Sequence, residues 1–195
     1  MKLIAKNRNY KGFTLAELLI VVAIIAVLVA IAIPILNNQL EKSREAHDVA
    51  TMRQAASLAV EYYYNDPSGK NSGLLWWDNK NPDANNAAGV YDPVKGTFKG
   101  ISSQQVKESD AYGEGTTIDT GATYKYSNGN KNRDIYAPGE DYTKAVVMIA
   151  IYPEGSNKHI DVYWKTASQG GKTGTYVGGQ TKANDPKYSI RLPLK

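Results

Sequence analysis

The sequence predicts an α+β fold, a long amino-terminal helix packed on a small antiparallel β-sheet head, and three observations carry that prediction. Leu18–Leu36 is an uncharged apolar run of membrane-spanning length. A polar stretch without glycine or proline comes next and lasts as far as Pro67, with Ala46, Val49, Met52, Ala56, Ala59 and Tyr63 recurring every three or four residues. Short runs rich in β-branched and aromatic residues then alternate with Pro, Gly and Asn.

Residues 1–12 form a basic leader: Lys2, Lys6, Arg8 and Lys11 stand there with no acid. Those four account for the whole excess of 23 basic over 19 acidic residues, so the chain after Gly12 is formally neutral. The basicity therefore belongs to the leader, and no specific nucleic-acid site is evident. Lysine and arginine flanking a membrane helix stay on the cytoplasmic side, which places the residues after the helix outside.

Residues 13–36 are the membrane-length half of one helix and residues 37–65 its amphipathic half, from Phe13 to about Asn65. The stripe from Ala46 to Tyr63 is the face expected to cover the sheet. Pro34 lies inside this helix, where it removes a backbone hydrogen bond; membrane helices tolerate proline, so a tolerated residue and a flexion point both stand. Residues 66–121 read as a connecting region rich in Asn, Asp, Gly and Ser, with a short helix at Ser102–Ser109. The sheet of the head is assigned to residues 122–195, with strands at Ala122–Tyr126, Ala145–Tyr152, Ile160–Lys165 and Tyr188–Leu192; their short connections favour antiparallel pairing.

No catalytic constellation assembles, and the reading is that the chain is not an enzyme and carries no cofactor. His47 and His159 stand apart, and neither HExxH nor Gly-x-Ser-x-Gly occurs. "GGKT" at Gly170–Thr173 has Thr166 where a P-loop needs its first glycine, so it reads as a turn. "NGNKNRD" at Asn128–Asp134 starts like an EF-hand, but Arg133 and Gly139 occupy the glycine and glutamate positions; that match fails, and an irregular calcium site stays open. With no cysteine, thiolate and zinc-thiolate chemistry is excluded. Trp76, Trp77, Tyr62, Tyr63 and Tyr64 suit either the helix–sheet core or an adhesive surface.

The amino-terminal end admits a cleaved secretory signal, with "AIA" at Ala30–Ala32 as the cleavage site and Ile33 as the new terminus, or a permanent single-span anchor. The segment "KGFTLAE" adds a third reading. With Gly12, Phe13, Thr14, Leu15, Glu17, the apolar run and Pro34, it resembles the class III signal of type IV pilins and the related type II secretion or competence pseudopilins. The resemblance covers Lys11 to about Leu36 closely and the helix to Tyr64 more loosely. It implies cleavage between Gly12 and Phe13 by a prepilin peptidase, methylation of the new amino terminus on Phe13, and a homo-oligomeric helical filament whose core is built from these helices. Glu17 of one subunit is then expected to meet the cationic terminus of a neighbour's Phe13, since a buried carboxylate is costly unless paired. Phe13, Glu17 and Pro34 become assembly positions. "TLAE" at Thr14–Glu17 is also a capping box in its own right.

The implied partners are the prepilin peptidase, the pilus assembly machinery of the cytoplasmic membrane, and membrane lipid before assembly. The implied location is the cytoplasmic membrane, with the head outside, and then an extracellular pilus. The cysteine-free head departs from the disulfide-closed loop of many Gram-negative pilins and is similar to cysteine-poor Gram-positive ones. A pseudopilin and a signal-cleaved soluble binding protein are the alternatives.

Overall fold

The computed structural model describes residues 12–65, 76–77, 87–128, 131–153, 156–168, 174–182 and 185–195. The chain divides into two compact units, Met1–Gln39 and Leu40–Lys195. Helix α1 runs from Leu15 to Asn65, and Pro34 lies within it without ending it. "GGKT" at 170–173 and the leader before Gly12 lie outside the described residues.

The larger unit holds ten strands among the described residues: β1 (Trp76–Trp77), β2 (Ala87–Asp92), β3 (Thr97–Lys99), β4 (Tyr124–Asn128), β5 (Lys131–Tyr136), β6 (Ala145–Tyr152), β7 (His159–Thr166), β8 (Gln180–Lys182), β9 (Asp185–Pro186) and β10 (Ile190–Pro193). Six of them form one sheet in the order β1-β2-β6-β7-β10, with β3 paired to β2, and every pairing is antiparallel. Two hairpins stand apart from it, β4 with β5 and β8 with β9.

Alternation along the strands makes two cores. Val147, Ile149 and Ile151 of β6 and Ile160, Val162 and Trp164 of β7 join Val49, Met52, Ala55, Ala56 and Ala59 of α1 on one face. On the other face Val90, Val146, Met148, Ala150 and Tyr163 pack beneath Ile101, Val106 and Tyr176. Tyrosines fill the helix-side core: Tyr136 stacks on Tyr142 with ring centroids 4.1 Å apart, and Tyr142 meets Trp164 edge-on at 5.6 Å. At the sheet edge Arg191 sits opposite Asp161 and grips it at 2.6 and 2.5 Å. Burial pushes the Asp161 carboxyl up, but the bonds and charge of Arg191 and His159 bring it below its ordinary value.

Several expectations need correction. Strand β2 lies in the region read as connecting loop: it pairs Ala87–Val90 with Ile151–Met148 of β6 and so is central to the sheet. The short helix expected at Ser102–Ser109 is two 3-10 turns, Ser103–Gln105 and Glu108–Asp110. The strand expected at Ala122–Tyr126 belongs to the separate β4–β5 hairpin and not to the main sheet. On α1, Ala46 is exposed, whereas Val49, Met52, Ala56 and Ala59 of the expected stripe are buried and Glu41, Glu45, Asp48 and Ala55 are buried with them.

Candidate functional site

At the start of α1 the sequence-predicted residues Gly12, Phe13 and Glu17 lie together, all exposed. The capping box forms: the Thr14 backbone N–H and hydroxyl both donate to Glu17 Oε2 at 2.8 Å, and the Glu17 N–H donates to Thr14 Oγ1 at 3.2 Å. The first intrahelical bond, Leu18 N–H to Thr14 carbonyl, is 3.2 Å long. Among the described residues of one chain, Glu17 thus meets its own helix start and no cation.

Beyond Glu17 the helix turns apolar on all sides. Every large apolar side chain from Leu18 to Leu36 is between 46% and 63% exposed, so none of the described residues covers them. Among the described residues this is the one helix long and apolar enough to cross a membrane. Pro34 falls near the end of that surface, about five turns after Glu17 by helix geometry of ~3.6 residues per turn.

The amphipathic half holds a feature that sequence reasoning missed. Glu41, Glu45 and Asp48 point from one face of α1 into the head and are almost completely buried, at 0%, 1% and 0% exposure. They hold the irregular stretch 111–123 against the helix. Asp48 accepts the backbone N–H groups of Glu114 and Gly115, each at 2.9 Å, and the Tyr136 hydroxyl at 2.9 Å. Glu45 accepts the Thr120 hydroxyl at 2.7 Å and the Tyr124 hydroxyl at 2.9 Å. Glu41 accepts the Thr116 N–H and an Arg44 N–H. Each acid is therefore satisfied by a donor of this stretch together with Tyr136, Tyr124 or Arg44, as a buried polar group must be.

Close approach is what permits this clasp. A Cβ at Gly115 would stand 1.9 Å from the Tyr136 hydroxyl, and one at Gly113 would stand 2.2 Å from the Tyr142 carbonyl oxygen. Burial pushes the Asp48 carboxyl up to about 6, against the downward pull of its Gly115, Glu114 and Tyr136 bonds. Burial and the neighbouring Glu45 push the Tyr124 hydroxyl up to about 12. The signal that could have found the clasp is the four-and-three spacing of Glu41, Glu45 and Asp48, in phase with Met52, Ala55 and Ala59.

Comparison with known proteins agrees with the amino-terminal geometry. Residues 7–33 match the family model of the prokaryotic N-terminal methylation motif. A fimbrial protein of Dichelobacter nodosus is 34% identical over 124 residues, which cover 56% of this chain and 71% of that protein. The chain belongs to the type IV pilin family. The type IV major fimbrial protein FimA of Dichelobacter nodosus is 44% identical to this pilin over 80 residues, 41% of this chain and 43% of its own length. The type IV major pilin protein PilE1 of Neisseria gonorrhoeae is 34% identical over 95 residues, 47% of this chain and 50% of its own. The pilin thus spans about half the length of these relatives. They are named as fimbrial proteins and pilins rather than enzymes. No solved structure matches the chain.

Proposed function

We propose that the chain is the structural subunit of a type IV pilus, held in the cytoplasmic membrane through α1, cut between Gly12 and Phe13 by a prepilin peptidase, methylated on Phe13 and polymerised into an extracellular filament. The observation that carries this reading is the pairing of a Gly-Phe-Thr-x-x-Glu start, inside a methylation-motif match, with an apolar helix surface open on every side. Lipid covers that surface before assembly and the helices of other copies cover it afterwards. The mechanism is association without a chemical step: helix packing forms the core, and Glu17 sets the register.

For Glu17 the capping box supplies a resting partner. Thr14 occupies Oε2, and in the filament the amino terminus of a neighbour's Phe13 becomes the stronger, charged partner for the buried carboxylate. Pro34 serves as a flexion point: the helix before it, around Ala26–Ile33, is intact in the single chain and partly unwinds in the crowded core, where position 34 already lacks a donor.

Mass spectrometry of the amino terminus of the cell-surface fraction tests the processing. Methylated Phe13 is expected, and Gly12→Leu should hold uncut precursor in the membrane. A mature chain starting at Ile33, or normal filaments from Gly12→Leu, contradicts the proposal.

A further inference from the structure

The formal neutrality of the chain after Gly12 hides a segregation of charge on α1. Between Leu40 and Val60 all the acids, Glu41, Glu45 and Asp48, are buried, whereas the charges left on the outside, Lys42, Arg44 and Arg53, are all basic, with His47 beside them. Arg44 is drawn toward Glu41 at 3.2 Å and His47 lies 3.5 Å from Glu114. Lys42 and Arg53 have no ion pair among the described residues. Small side chains, Ser43, Ala46, Ala50 and Ser57, occupy the surface around them, so a second surface can come close to the helix.

The same unit carries an acidic corner. Asp119, Glu140 and Asp141 are exposed, and Asp119 lies against Gly139, whose Cβ position is 3.2 Å from that of Asp119. Lys144, the cation that feels Asp141, is committed to Glu108 at 2.7 Å. Asp119 and Asp141 also accept local backbone bonds from Gly121 and Thr143, which fix their carboxylates without neutralising them.

We propose that the outward face of α1 from Lys42 to Ser57 docks on the Asp119–Glu140–Asp141 corner of a second copy of this chain, with Lys42 and Arg53 as the cations of that contact. The contact rests on the filament reading above. It is heterologous, one patch meeting a different patch, which is the geometry that propagates into an open helical filament instead of closing as a dimer. Complementary charge of this kind fixes register and partner choice more than raw affinity. Anionic lipid headgroups are the competing occupant, and the spread of the cations disfavours them. Lys42 and Arg53 are about 16 Å apart along the helix at ~1.5 Å per residue, whereas the headgroup layer on one side of a bilayer is roughly 5–8 Å deep. The helix also cannot lie flat on a membrane by its apolar side, because that side is the core of the head.

Charge exchange in cells expressing the full chain tests the contact. Lys42→Glu with Arg53→Glu should lower the yield of sheared filaments about tenfold or more through like-charge repulsion. Glu140→Lys with Asp141→Lys should do the same alone, and all four changes together should restore assembly. Because the chain lacks cysteine, co-expressing an Arg53→Cys chain with a Glu140→Cys chain should give a disulfide-linked heterodimer in filaments. Filaments at unchanged yield from the Lys42→Glu, Arg53→Glu chain overturn the proposal, as does a loss that the corner reversal does not rescue. If that loss comes with weaker retention of the processed chain on phosphatidylglycerol vesicles, the headgroups are the partner. Failure of the unaltered chain to form filaments sinks the filament reading itself and this contact with it.

Discussion

From Leu15 to Gln39 every side chain of α1 is exposed, although nearly all are apolar, whereas from Leu40 to Ala59 the helix buries three carboxylates and turns its cations outward. The usual rule of apolar inside and charged outside is thus inverted in the first half and split by sign in the second. What decides burial is the partner available. The second half has the N–H and hydroxyl donors of stretch 114–124 within reach, so its acids go in. The first half has no partner among the described residues of its own chain, and in the proposed function lipid and then other copies supply it.

Removing Glu17 should break the contrast most severely. Glu17→Ala should still insert and be processed, since losing a charge eases membrane insertion. Assembly should then fail, because stranding a buried charge without its partner costs about 3–5 kcal/mol. Filament yield from sheared cells measures this, and wild-type yield would leave the capping box as the whole role of Glu17.

A change in the second half should act on the head and leave processing alone. Gly115→Ala places its methyl against the Tyr136 hydroxyl and pushes it off Asp48, so thermal denaturation of the subunit should show a loss of about 2 kcal/mol or more. An unchanged melting temperature would mean that the clasp is looser than its geometry.

The pH effect of Asp48 is of similar size but is spread over pH ~4 to ~6. Its folded value of about 6 lies above the ordinary 3.8, so the folded head holds a proton that the unfolded chain has released. That contribution is fully present below pH ~4 and is lost as the pH rises to ~6, on the order of 3 kcal/mol. Asp161 and Asp185, whose values are lowered, act with the opposite sign. The informative quantity is therefore the difference between wild type and Asp48→Asn, which should narrow as the pH rises from 4 to 6. A difference that does not vary with pH rules Asp48 out as the titrating group.

Legibility in the sequence depended on how far each element rests on its own residues. β6 was readable end to end because "AVVMIAIY" is a continuous apolar run bounded by turn residues. β2, "AAGVYD", is short, contains Gly89 and comes after an Asn-rich stretch, so its place beside β6 rests on partners distant in sequence. The start of the site was legible because Gly12, Phe13, Thr14 and Glu17 act through local spacing. The clasp was not, because a hydrophobic-periodicity search discards acids and took Ala46 where Glu45 is the buried residue. Donors far away in sequence, in the loop and on Tyr124 and Tyr136, turn those acids inward.

The central claim, that the open apolar half is covered by copies of itself, is tested most directly by a density map of sheared filaments that resolves side chains. The account predicts Leu18–Leu36 packed at the filament centre, Glu17 within hydrogen-bonding reach of the amino terminus of a neighbour's Phe13, and a break in the helix just before Pro34. An unbroken helix through Pro34 would reduce the proline to a tolerated residue. A map in which Leu18–Leu36 lies away from other copies, or Glu17 still bonds only its own Thr14, would contradict the account.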